Sequence, residues 1–148
     1  MIEINNLTVI DIDQEWLKKI AKKVLGGEKV KDEIELSIAL IGPGRMREIN
    51  KRYRGKNRVT DVLAFPESRM AKEKFRVGLL KKVQGLGEIA ICLREVKKNS
   101  KKFKSSFEQE LKRVLIHGLL HLLGYDHEKS EEKAKEMEKK QQHYFSKV

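Results

Sequence analysis

The chain has a single cysteine, Cys92, which excludes an internal disulfide and is compatible with a reducing compartment. No run approaches the eighteen or so apolar residues of a membrane span. The opening Met1-Ile2-Glu3-Ile4 lacks the basic start and long apolar stretch of a signal peptide. A soluble, cytoplasmic protein without a membrane partner is the expectation. Internal repeats are absent and no composition shift marks a second domain, so one domain over residues 1–148 is expected. Acidic charge is in deficit: 22 Asp and Glu stand against 33 Lys and Arg, a net charge of +11. Such an excess favours a polyanionic partner, nucleic acid before anionic membrane. A charged share of 37% also fits thermal adaptation, which explains the abundance of charge but not the excess of one sign. The hydrophobic share is 39%, enough for a core, and a chain of this length buries about two-thirds of its unfolded surface.

Periodicity gives a coarse map. Ile2 to Ile10 is apolar and β-branched and reads as a strand. Asp13 can cap a helix to about Leu25, with Trp16, Leu17, Ile20, Ala21 and Val24 at helical spacing and Gly26-Gly27 as its stop. Ile34, Leu36, Ile38 and Leu40 alternate as in a strand, Gly42-Pro43-Gly44 reads as a turn, and a short helix follows through Met46, Ile49 and Tyr53. Val62 to Phe65 is a strand stopped by Pro66, and Ile89 to Cys92 is another, in which Cys92 packs as a small apolar residue. Between them Glu67 to Gly85 has no clear period and reads as a long basic loop, with a hairpin around 75–83 as its only candidate element. Leu93 to Lys102 is helical and basic. Ser105 or Ser106 caps a helix carrying Phe107, Leu111, Val114, Leu115, Leu119 and Leu122, apolar almost all round and therefore central. Ser130 starts a last helix with Ala134, Met137, Gln141 and Tyr144 along one side and His143 exposed. The fold class is α+β, a small mixed sheet of about four strands covered by about five helices.

The chemistry concentrates in one segment. Three of the four histidines stand in His117-Gly118-Leu119-Leu120-His121-Leu122-Leu123-Gly124-Tyr125-Asp126-His127, spaced H-x-x-x-H-x-x-G-x-x-H. Histidines four apart share one helix face, about 5–6 Å apart. Gly124 can end the helix in a left-handed conformation and let His127 return toward the same point. Three neutral nitrogens converging there make a catalytic-type metal site with one position open for water. A metzincin protease carries its general base, a Glu, immediately after the first His; here that position is Gly118. The cage is kept and the peptidase's proton acceptor is not, which points to a metal-dependent hydrolase of another bond.

Four motifs occur in order: Tyr53-Arg54-Gly55-Lys56, then Thr60-Asp61-Val62-Leu63-Ala64-Phe65-Pro66, then Leu86-Gly87-Glu88-Ile89, then the histidine segment. Together, from about Leu36 to His127, they resemble the YbeY family of bacterial proteins. The resemblance implies an α+β fold and a single-strand-specific, metal-dependent endoribonuclease. It implies action in ribosomal RNA maturation, notably at the 3′ end of the 16S RNA of the small ribosomal subunit, and in ribosome quality control. It also implies zinc as the ion, with other divalent metals as alternatives. His117, His121 and His127 become the ligands, with water completing the site, and Arg54 the basic residue of the active cleft. The chain departs from the family in having Asp61 and Ala64 where many members have Asn and Ser, and in its long basic loop.

A phosphodiester needs its charge neutralised, and Arg54 can grip its non-bridging oxygens in a fork. An ion that supplies hydroxide needs no protein base, which agrees with Gly118. Asp126 either orients a ligand histidine or caps the turn after Gly124. Glu88 is a candidate cleft carboxylate, and Tyr125 either stacks on a base or packs. Thr60 and Asp61 either line the cleft or, the favoured reading, begin a strand. The pairs Lys18-Lys19, Lys22-Lys23, Lys81-Lys82, Lys97-Lys98 and Lys101-Lys102 are candidates for tracking an RNA backbone. Two alternatives stand beside the nuclease: an RNA- or ribosome-binding factor with a structural metal, and a metzincin-like metalloprotease.

Overall fold

The computed structural model describes residues 1–30, 34–67 and 85–148. In chain order the elements are β1 (Ile2–Asn6), α1 (Gln14–Gly27), β2 (Glu35–Ile41), α2 (Pro43–Arg54), β3 (Val62–Pro66), β4 (Gly85–Cys92), α3 (Leu93–Lys102), α4 (Phe107–Leu122) and α5 (Glu131–Lys147). The architecture is the α+β one expected, a four-stranded sheet with helices packed on it. Strand order is β1-β2-β4-β3; β1, β2 and β4 run parallel and β3 lies antiparallel along the edge of β4. Pro66 is tolerated because β3 is an edge strand, where a missing N–H breaks no second ladder.

Strand alternation divides the core. Leu36, Ile38, Leu40, Ile89 and Ile91 face one side, where α1, α3, α4 and α5 gather with Leu17, Ile20, Val96, Leu115, Leu119, Met137 and Tyr144. Ala39, Ile41, Leu63, Phe65, Ala90 and Cys92 face the other side, closed by Met46 and Ile49 of α2. Helix α4 lies at the centre of the first layer: Leu115, Ile116, Leu119 and Leu120 are each 0% exposed. Each such burial contributes about 1.5–3 kcal/mol relative to an exposed position. Among the described residues no helix is long and apolar enough to cross a membrane.

Two expectations need correction, and one pair of alternatives is decided. The first strand stops at Asn6 rather than Ile10, because the Asn6 side chain accepts the Thr8 N–H (3.0 Å) and donates to the Ile10 carbonyl (2.8 Å), turning the chain. Gly42-Pro43-Gly44 is not a free turn but the start of α2, with Gly42 as N-cap and Pro43 as first residue. Proline suits that position because its missing N–H has no intrahelical partner there. Of the two candidate serines, Ser106 caps α4: its hydroxyl accepts the Gln109 N–H (3.1 Å), and Gln109 Oε1 accepts the Ser106 N–H (3.2 Å). The 75–83 hairpin and the Lys81-Lys82 pair lie outside the described residues.

Candidate metal centre and active cleft

The site begins with how closely α4 approaches the sheet. A Cβ on Gly118 would stand 3.1 Å from Val62 Cγ2 and 3.2 Å from Ile89 Cγ2, so the hydrogen there lets the helix seat against β3 and β4. His117 and His121 flank this contact, half-buried. Beyond Leu122, Gly124 takes a φ of +97°, which an L side chain adopts only with strain, and the chain reverses. His127 comes back beside the other two. Ring centroids are 4.5 Å apart for His117–His121, 5.4 Å for His117–His127 and 5.2 Å for His121–His127. One ring nitrogen from each histidine lies within 4.8 Å of the others. Among the described residues no fourth metal-capable side chain joins this group.

The nearest support comes from α5. Gln141 Oε1 lies 3.1 Å from His117 Nδ1. An amide oxygen only accepts, so Nδ1 carries the proton and Nε2 turns its lone pair to the cluster, where His121 Nε2 is 3.0 Å away. Gln141 was read from the sequence only as part of the helix's packing side. Its partner is 24 residues distant, and no local pattern reports such a pairing. Burial, then the neighbouring His117 and His127 and the more distant Arg54, pushes His121 down to about 4, against the opposing pull of Asp126. His121 is therefore neutral near pH 7, the form that ligates.

The structure separates the roles considered for Asp126 and Tyr125. Asp126 Oδ1 accepts the Glu128 N–H at 2.8 Å and caps the turn. That bond, followed by the charges of Lys129, His121 and His127, lowers the carboxyl below its ordinary range. Tyr125 turns away from any incoming base and donates its hydroxyl to Glu28 Oε1. Glu28 closes α1 and also accepts from Tyr144 and, at 3.1 Å, from Lys140 Nζ. Burial alone would raise the Glu28 carboxyl, but these three donors outweigh it and hold the carboxyl below its usual value. One carboxylate thus ties the end of α1, the loop that carries His127, and α5.

The histidines open onto a cleft lined by Arg54, Lys56, Arg58, Thr60, Asp61 and Val62 among others. Arg54 ends α2, and Gly55 caps it. The segment that follows is held from below: Asn50, 2% exposed, donates Nδ2 to the Arg58 carbonyl at 2.9 Å, and Arg47 Nε donates to Asn57 Oδ1 at 2.8 Å. Among the described residues the cations lining the cleft are Arg54, Lys56 and Arg58, and the described lysine pairs are not among them; Lys18 pairs with Glu15 and Lys98 with Glu95 on their own helices. Glu88 is not brought to the cleft. It alternates with Ile89, whose face packs under α4, and so points exposed from the opposite side of the sheet. Gly87 before it takes a φ of +142°, and a Cβ there would come 2.3 Å from the Phe65 carbonyl oxygen, so the motif's glycine serves β3–β4 pairing. His143 lies exposed on α5 against Tyr144, away from the cluster, and Cys92 is fully buried at the start of α3.

The donor set fits a divalent ion. Tetrahedral zinc with nitrogen ligands at about 2.0–2.1 Å keeps its donors about 3.3 Å apart, close to the 3.0 Å seen between His117 and His121. Three imidazoles with no fourth protein ligand among the described residues match a reactive site better than a structural one.

Comparison with known proteins identifies the family. The family model described as Endoribonuclease YbeY matches residues 2–148. An Endoribonuclease YbeY of Petrotoga mobilis is 42% identical over 142 residues, covering 96% of this chain and 90% of that protein. One from a Sulfurihydrogenibium species is 40% identical over 138 residues, covering 93% and 85%. The solution structure of TM1509 from Thermotoga maritima superposes with a TM-score of 0.65 at 34% identity, covering 98% of this chain and 87% of that one. With sequence, fold and the whole length in agreement, the chain belongs to the YbeY family.

Proposed function

We propose that this chain is a zinc-dependent endoribonuclease that hydrolyses phosphodiester bonds in unpaired RNA. Its substrate is ribosomal RNA, including the 3′ end of the 16S RNA on the small ribosomal subunit, and its place of action the cytoplasm. The observation that carries the reading is the convergence of His117, His121 and His127 in a cleft lined by Arg54, Lys56 and Arg58, in a chain of the YbeY family. That setting suits a polyanionic substrate and leaves the protease alternative without the base a metzincin carries after its first histidine, since Gly118 has no room for one.

When bound, a divalent ion supplies Lewis acidity and lowers the pKa of water from about 16 to about 7. The protein's own residues do the rest. The three imidazoles hold the ion, with His117 kept in the ligating tautomer by Gln141. Arg54 neutralises the phosphoryl oxygens as charge builds on them, in a fork geometry that a lysine does not reproduce. Lys56 and Arg58 neutralise flanking phosphates and fix the strand's register.

The test is cleavage of one end-labelled RNA offered single-stranded and annealed to its complement, with and without chelator. The reading requires internal cuts in the unpaired form that stop when metal is withdrawn and return with zinc. Equal cleavage of the duplex, or cleavage indifferent to chelator, contradicts it.

A further inference from the structure

Tyr53 is 60% exposed, immediately before Arg54 at the end of α2. It is not one of the apolar residues packed against the core on that side of the sheet, which are Ala39, Ile49, Val59 and Phe65. Most of the ring is therefore left in solvent. The ring is nonetheless held in place: it meets Phe65 edge-on, centroids 5.5 Å apart and planes at 64°. Phe65 is the cross-strand partner of Glu88 and faces the α2 side of the sheet, opposite Ala64, so the Tyr53 ring stands on that side of β3, one residue before Arg54, which lines the cleft. Cations surround it. Arg52 lies over the ring at 5.6 Å, Lys51, Arg52 and Arg54 occupy the same helix end, and Lys56 and Arg58 follow. Arg52 is itself exposed and free to give way to a planar ligand or to close over it.

We propose that Tyr53 is a nucleobase platform: one base of the bound strand stacks on its ring while Arg54, Lys56 and Arg58 take the adjoining phosphates. The inference rests on the endoribonuclease reading and adds to it a source of single-strand selectivity. Phosphates are equally available in a duplex, but a base stacks on an exposed ring only if it is itself unstacked and unpaired. Cations alone attract both forms; the aromatic ring discriminates.

The experiment is equilibrium binding, in low salt with chelator present to prevent cleavage, of a short single-stranded RNA carrying one 2-aminopurine. A matched series replaces one base at a time by an abasic ribose. Wild type, Tyr53→Phe and Tyr53→Leu are compared; an exposed position lets all three fold, which a thermal melt verifies. We expect Tyr53→Phe to bind as wild type does. Tyr53→Leu should bind roughly 5- to 100-fold more weakly, the range for losing one base–aromatic stack. An abasic site at one position should weaken wild type by a similar factor and leave Tyr53→Leu indifferent. Unchanged affinity in Tyr53→Leu, or a loss equal for intact and abasic RNA, overturns the platform while leaving the nuclease reading intact. Wild type that binds no single-stranded RNA at all overturns both.

Discussion

At Gly118 the chain carries a hydrogen where a metzincin protease carries its general base, and packing explains why. The neighbours that would meet a Cβ are Val62 and Ile89, both apolar, so a carboxylate placed there is buried without a partner. Gly118→Glu should therefore create no peptidase; it should cost about 3 kcal/mol or more, read as a fall in the denaturant midpoint. Gln141 is the second informative residue. Gln141→Leu removes the acceptor that fixes the His117 tautomer, and zinc affinity should fall roughly 10- to 100-fold in a competitive chelator titration while the metal-free fold survives. Arg54→Ala should lower kcat/KM by roughly 10²–10³-fold, with Arg54→Lys recovering only part, because a point charge is not a fork. The histidines announced themselves through spacing and a glycine at the bend. Gln141 did not, since its role exists only once α5 lies against α4. Glu88 looked like a site carboxylate because sequence adjacency to Gly87 gives no sign of which face of β4 it occupies.

Among the elements, those with strong periodicity were legible and those decided by a single side chain were not. The apolar girth of α4 foretold its central place, and alternation in β2 foretold its two faces. The end of β1 turned on the Asn6 side chain, and the start of α2 on a Gly-Pro-Gly that serves a turn or a helix start equally well. Least visible was the contact joining α1, the His127 loop and α5 through Glu28. It leads to a pH prediction. The Glu28 carboxyl is held below its ordinary 4.5, so folding favours its ionised form. That contribution is complete above about pH 4.5 and disappears as pH falls through the lower folded value. The Tm advantage of wild type over Glu28→Gln should stay level from about pH 7 to pH 5 and shrink below that. An advantage that grows in acid contradicts the assignment.

For the molecule as a whole, the net charge of +11 signalled a polyanionic partner, and part of that charge lies at the histidine cleft, which Arg54, Lys56 and Arg58 line. Three phosphate contacts by these residues give a slope of roughly −2 in log affinity against log salt for single-stranded RNA. A triple substitution of them by alanine should flatten the slope, whereas removal of Lys18 and Lys98, each beside an acidic neighbour, should leave it nearly unchanged. In the proposed function, three histidines hold one ion on which RNA cleavage depends. The measurement that tests it most directly is zinc content and single-stranded ribosomal RNA cleavage, taken together on wild type and on His121→Ala. Wild type should carry about one zinc per chain and cleave in a chelator-sensitive way, and the folded variant should lose both. Cleavage that persists in a zinc-free His121→Ala protein would contradict it.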